Sequence, residues 1–291
     1  MTRSAAVSRN QQGLALIAVL WISAALGLIA MGLSHSVKTD ARALSQNSQR
    51  IQVQMLADSA IRSVLLQLLA EKKTSLQVTE SRTVTLWDQA VTVDVMPLNG
   101  WIDLNSAPVE LLQAALQFAA GLNEADARMR AQAIVDFRER KTPAGESARI
   151  HAIEDLLQIH QISYEEYSRV APLMTADLST GNGKVNPLAA PAAVLRVLAG
   201  GDDLLAQQVE QLRLNRAEMT DLTRLPAAFT QAEATRTFRI QARVVTSDNT
   251  QQWLHTWRVF MTDDKPYGLP WRVLGIDHPV ILPVLGPQSA S

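Results

Sequence analysis

At 291 residues the chain is long enough for a membrane anchor together with one or two folded domains. Its 28 acidic and 27 basic residues nearly cancel, so no strong net field directs it toward nucleic acid or anionic lipid. It holds no cysteine, which excludes disulfides, thiolate metal sites and cysteine nucleophiles together.

The first element is QQGLALIAVLWISAALGLIAMGL, residues 11–33. Leu14 to Leu33 supplies twenty residues without a charge, matching the roughly 20 that cross about 30 Å of hydrocarbon. Three readings are open: a discarded secretory signal, a permanent anchor, or a segment cut at the glycine and kept. A secretory signal has a core of about 7–15 residues and an A-x-A-like cleavage site. The best site here, Ala30-Met31-Gly32, is a poor one. Arg3, Arg9 and the terminal amine precede Gly13 with no acid among them, which favours a cytoplasmic place for that end, although Lys38 and Arg42 beyond the span make the asymmetry modest; everything after Leu33 would then be outside.

No glycine or proline interrupts the chain between Leu33 and Met96. Val53, Leu56, Ala57, Ala60, Ile61, Val64, Leu65 and Leu68 recur at helical steps and form one apolar stripe. A helix from Leu14 to about Glu71 would extend on the order of 85–90 Å, far beyond a bilayer. Its outer half therefore needs a partner. That half is a spacer, a dimerising coil, or a stalk that packs on its own globular head.

Residues 81–96, SRTVTLWDQAVTVDVM, read as a β-hairpin turning at Asp88-Gln89. Residues 236–262 read as a second hairpin turning at 247–250. Between them the spacing predicts helices near 107–120, 124–140, 152–158, 163–173, 190–199 and 203–214. The fold class is α+β: a long N-terminal transmembrane and stalk helix, a small antiparallel sheet, and an inserted all-helical domain. Trp253 and Trp257 fall on one strand face as core or cross-strand packing. The last segment, 266–291, is proline-rich, with an apolar run from Val280 to Leu285 that is either a partner surface or a strap folded on its own domain.

The helical middle contains an echo. GWIDLNSAPVELLQAAL from Gly100 and GKVNPLAAPAAVLRVLA from Gly183 share a glycine, a β-branched residue, an Asp or Asn, an Ala-Pro pair and a helix leucine. Each copy is an extended lead-in delivering a helix, with proline in the first turn, where no intrahelical bond is lost.

No enzyme motif is present. Walker, G-x-S-x-G and H-E-x-x-H patterns are missing, GNGKVN at 181–186 reads as a turn, and the five histidines are scattered without a metal-like partner set. Asp202-Asp203 and Asp263-Asp264 read as caps or turns. The chain is read as a non-enzyme without cofactor or metal.

A short basic leader ending in glycine ahead of a retained apolar helix resembles the class III signal of type IV pilins and type II secretion pseudopilins. The resemblance implies cleavage by prepilin peptidase after Gly13 and N-methylation of Leu14. It departs from the family pattern with leucine in place of the usual phenylalanine at the first mature position. At the fifth mature position Ala18 replaces the usual glutamate. In the family that carboxylate pairs with the N-terminal amine of a neighbouring subunit, and a lone acid in hydrocarbon costs several kcal/mol. A subunit without it is ill suited to joining beneath others, which is similar to the K type that caps the filament tip. Phrases like the two echoed segments also flank the helical insertion of K proteins. K-family members often hold calcium through an Asp-rich loop; RKTPAGESARIHAIED, the corresponding stretch here, has no D-x-D run, so no calcium ligands carry over.

The resemblance implies a leader at 1–13, a transmembrane helix at 14–33, a periplasmic stalk at 34–73 and a first head part at 74–104. A helical insertion follows at 105–180, then a second head part at 181–265 and the tail at 266–291. The implied role is a minor pseudopilin at the tip of the type II secretion pseudopilus in the bacterial inner membrane, with its head in the periplasm, serving export of folded proteins. Implied partners are the I-, J- and H-type minor pseudopilins, the major pseudopilin, prepilin peptidase, and secretin or secreted cargo. The same helical phrases also resemble membrane-anchored helix-hairpin-helix DNA-uptake proteins. Their Gly-x-Gly turn is missing, and AAGLNEADA and LQIHQISYEEY place acids where phosphate would sit, so nucleic acid is not expected as a partner. A periplasmic enzyme with an unrecognised site is the third reading.

Overall fold

The computed structural model describes residues 10–141, 147–178, 181–216, 220–246, 250–264 and 268–283, and only the backbone of 10–17, 27–46 and 216. The chain divides into two units, 1–55 and 56–291, and helix α1, Asn10–Ala70, contributes to both.

Over residues 18–26 α1 carries an apolar surface all round, since Val19, Leu20, Trp21, Ile22 and Leu26 are each at least 60% exposed. The hydroxyl of Ser23 donates to the Leu20 carbonyl at 3.0 Å, so this apolar run contains no unsatisfied hydroxyl there. Among the described residues, Asn47–Ala70 is long and apolar enough to cross a bilayer, yet 44% of that window is buried inside the protein.

The second unit is an α+β head. Its sheet runs β1 (Glu80–Leu86), β2 (Gln89–Pro97), β5 (Thr237–Val245), β6 (Gln251–Met261) and β7 (Trp271–Ile276), with β8 (Val280–Pro283) also on β6. The register sets Val93 opposite Ala242, Ile240 opposite Trp257 and Val244 opposite Trp253, so these side chains share one face. Asp58 and Arg62 of α1 reach His255 and Trp257 on that face. Leu56, Ala57, Ala60, Ile61, Val64, Leu65 and Leu68 are all buried, which places the predicted apolar stripe of this stretch in the core. Arg82 of β1 bridges Glu71, just past the end of α1, and Glu80.

Between β2 and β5 the chain makes the helical insertion. It holds α2 (Val109–Phe118), α3 (Glu124–Glu139), α4 (Tyr164–Val170), α5 (Ala192–Leu198) and α6 (Asp203–Arg216), with short 3-10 turns and a parallel two-residue pair, β3 (Ile102–Asp103) and β4 (Met174–Thr175). One apolar core runs from Ile102 through Leu111, Leu116, Ile134 and Leu173 to Leu195 and Leu225. That core reaches beyond residue 180 into the stretch assigned from sequence to the second head part. The insertion is tied to the outer face of the sheet by Arg258, which pairs with Asp177, and by Arg239, whose guanidinium lies 5.6 Å from the Trp101 ring.

Two further expectations change. The first hairpin turns at Trp87-Asp88 rather than Asp88-Gln89, with Leu86 and Gln89 closing the ladder. The 266–291 stretch contributes β7 and β8 to the sheet, although Pro270, Pro279 and Pro283 give it the pattern of a tail. The prolines flank these strands or end them at the sheet edge, where no ladder hydrogen bond is lost. Residues 284–291, 247–249 and the first nine of the leader lie outside the described residues.

Candidate functional site

Gly13 and Leu14 lie in the backbone of α1, and Ala18 follows one turn after Leu14 with its side chain exposed. These three share one helix of the first unit, and the remaining candidate features belong to the head.

A polar node joins α1 to the sheet. Asp58 Oδ1 lies 2.8 Å from His255 Nε2 and accepts from Trp257 Nε1 at 3.0 Å, while the Arg62 guanidinium stacks 5.2 Å from the Trp257 ring. His255 is 2% exposed, so Asp58 supplies a hydrogen-bond partner that water cannot. The node fixes the helix in one register on an otherwise apolar face.

The insertion is built from two copies of one local design, as the sequence echo implies. In the first, Asp103 Oδ1 accepts from the Asn105 amide; in the second, Asn186 Oδ1 accepts from the Leu188 amide. The two lead-ins each end on a proline N-cap in extended backbone, Pro108 before α2 and Pro191 before α5. Arg138 at the end of α3 donates to the carbonyls of Leu104 and Ala107, and Arg213 of α6 donates to those of Pro187 and Ala190, the matching positions. Burial pulls both guanidiniums below their ordinary value. The copies interlock: Gly100 lies against Ala189 and Gly183 against Ser106. Ser106 donates to Asp103 Oδ2 at 2.5 Å and accepts from the Gly183 amide at 3.2 Å, which uses its hydroxyl structurally.

Each copy is a helix-hairpin-helix. The hairpins are residues 119–123, with Gly121 at φ +76°, and 199–202, with Gly200 and Gly201 at φ +66° and +86°. The second hairpin is therefore AGGD, whereas LQIHQISYEEY joins a 3-10 turn to α4. The helix-start amides are occupied by the chain itself. Asn123 Oδ1 accepts from the Asp126 amide at 2.9 Å and Asp202 Oδ1 from the Leu205 amide at 3.0 Å. With Glu124, Asp126 and Asp203 beside them, these hairpins oppose phosphate.

A cleft of about 450 Å³ is lined by Asp103, Asn105, Ser106, Arg138, Arg149 and Gly181. Burial pushes the Asp103 carboxyl above its ordinary value, against the opposing pull of Ser106, the Asn105 amide and the two arginines. Glu139 also lines the cleft, so its described lining holds two carboxylates, of which Asp103 is the buried one, and no histidine. Among the described residues no group of three or more His, Asp or Glu side chains could hold a metal ion.

No family model matches the chain, and no curated protein matches it. Among solved structures, a chain in the crystal structure of the GspK-GspI-GspJ complex from the enterotoxigenic Escherichia coli type 2 secretion system superposes with a TM-score of 0.51 at 13% identity. The match covers 80% of this chain and 98% of that one. The protein has a GspK-like fold.

Within the GspK-like fold, the echo is plain in the sequence but what it builds is not. Arg138 and Arg213 sit some thirty and twenty-five residues from the carbonyls they bind, and nothing in local spacing marks them. By sequence alone His255 is one of several scattered histidines. Its place in a strand of alternating buried residues, opposite Ala242, is the signal that sets it apart.

Proposed function

We propose that the protein is a minor pseudopilin of the K type, acting at the tip of a type II secretion pseudopilus to initiate or cap filament assembly for export of folded proteins across the outer membrane. The GspK-like fold of nearly the whole matched chain is the observation that carries this reading. In it, prepilin peptidase removes the leader after Gly13 and Leu14 becomes the N-methylated first residue. The run from Leu14 to Leu33 anchors the chain in the inner membrane, with its N-terminal side cytoplasmic and the head periplasmic. The exposed apolar side chains from Val19 to Leu26 suit burial in lipid or among neighbouring helices.

Ala18 supports a topmost place, because no carboxylate is present there to pair with a neighbouring subunit's amine. I- and J-type subunits are the expected partners in the tip complex, which agrees with the composition of the matched complex. The H-type and major pseudopilins follow below, and secretin or cargo meets the exposed head.

Co-expression of the full chain with the I- and J-type subunits of its own organism, followed by affinity purification in detergent, tests this. A stable complex of all three is expected; a chain that purifies alone under conditions where the other two associate would overturn the reading.

A further inference from the structure

The turn of the first hairpin is built with the wrong residue for its geometry. Leu86 pairs with Gln89, leaving a two-residue loop in which Trp87 has φ +47° and Asp88 φ +61°. Two consecutive positive φ values define a type I′ turn, whose first position favours Asn, Asp or Gly. Aspartate tolerates the left-handed region because its short side chain can bond locally, whereas the β-carbon and bulky ring of tryptophan make it an outlier there. The strain brings no burial with it, since Trp87 is 74% exposed. A single exposed apolar residue needs no explanation by itself; one held in a disfavoured backbone conformation does, because such strain concentrates where a contact outside the domain uses it.

The tip is also fastened to the sheet. Seven consecutive residue pairs run back from it along β1 and β2, and Gln89 Nε2 donates to the Val245 carbonyl at 2.7 Å, fastening it to β5. A turn whose backbone is already held loses little backbone freedom on docking, and tryptophan is among the residue types most enriched at binding hot spots. Asp88, exposed beside it, sets the chemistry of the receiving surface. Its carboxylate suits a pocket rimmed by Lys or Arg and opposes the anionic headgroups of a bilayer, which decides between a protein and a lipid partner.

We propose that Trp87 anchors the β1–β2 hairpin tip in an apolar, cation-rimmed pocket of a neighbouring minor pseudopilin. This rests on the pseudopilin reading above. The test uses full-length protein with its I- and J-type subunits, comparing the wild type with Trp87→Asn, which suits the turn and removes the ring. The variant is expected to unfold about 2–4 °C higher when alone, because the backbone strain is relieved. It is also expected to bind the other subunits about tenfold or more weaker, because the anchor is gone.

A wild type that fails to bind them removes the pseudopilin reading and this proposal with it. A wild type that binds while Trp87→Asn binds equally well removes the proposal and leaves the reading standing. Benzophenone photocrosslinking from position 87 should yield an adduct with a protein subunit; adducts with lipid alone would overturn the proposal.

Discussion

Gly100 lies so close to Ala189 that a β-carbon on it would stand 2.5 Å from the Ala189 carbonyl oxygen. Gly183, its counterpart in the second copy, stands in the same relation to the carbonyl of Ser106, the counterpart of Ala189, also at 2.5 Å. The two helix-hairpin-helix copies therefore meet backbone to backbone at both crossings, and only glycine permits the approach. Gly100→Ala is expected to destabilise by about 1–3 kcal/mol through overpacking against a carbonyl that cannot move away. Gly183→Ala adds strain at φ +75°, about 1–2 kcal/mol more. Gly200 has φ +66° but nothing within 4 Å of its virtual β-carbon, so alanine there carries only the backbone cost. Thermal unfolding should rank Gly183→Ala as the most damaging of the three; a Gly100→Ala protein as stable as wild type would show that the copies are not interlocked.

Arg138 and Arg213 each hold two carbonyls at the turn preceding a helix. Substitution by methionine keeps most of the stem packing and removes the donors, leaving partly buried carbonyls unpaired. A loss of about 2–4 kcal/mol is expected at either site, in chemical denaturation of the full chain. Lysine should restore little, since one ammonium cannot reproduce the fork that spans both carbonyls.

Asp103 and Asn186 occupy the same place in the two copies, and Asn186 shows that an amide makes this turn as well as a carboxylate does. Burial raises the folded-state pKa of Asp103, so folding favours its protonated form. Its favourable contribution is complete below the unfolded value of about 3.9 and is lost as pH rises through the higher folded value. Asp103→Asn removes that dependence. Relative to wild type, the variant should gain stability from acid toward neutral pH, in chemical denaturation followed across that range. A variant that loses stability over the same range would mean that the charged form is preferred in the fold.

Asp58 serves both His255 and Trp257 on the covered face of the sheet. Asp58→Ala removes the carboxylate that His255 Nε2 and Trp257 Nε1 share, leaving these two nitrogens only each other at 3.1 Å, and should cost about 1–3 kcal/mol. His255→Phe with Trp257→Phe in the same chain should recover part of the loss, because the donors disappear together with their acceptor. Equal destabilisation by Asp58→Ala with and without the two phenylalanines would show the node to be incidental.

Much of this architecture is legible in the residues because the signals are periodic and local. The helical spacing from Leu56 to Leu68 marks one apolar face that needs a partner, and the head sheet supplies it; α3 begins at Glu124 because Asn123 caps it. The echo from Gly100 to Gly183 is equally plain. Its meaning is not, because the contacts that give it shape join residues about eighty positions apart. The hairpin turn is displaced by one residue because tryptophan gives no turn signal, and Asp88-Gln89 reads as the better turn. Strands β7 and β8 are hidden by prolines that the sheet tolerates at its edge. Ala18 is visible as the departure from an acidic position, since it is defined by sequence alone.

The N-terminal mass of the mature protein purified from its own membranes tests the pseudopilin reading most directly. A chain beginning at N-methylated Leu14, with the apolar run to Leu33 retained, is the predicted result. A chain that keeps Met1, or one that begins beyond Leu33, would contradict it.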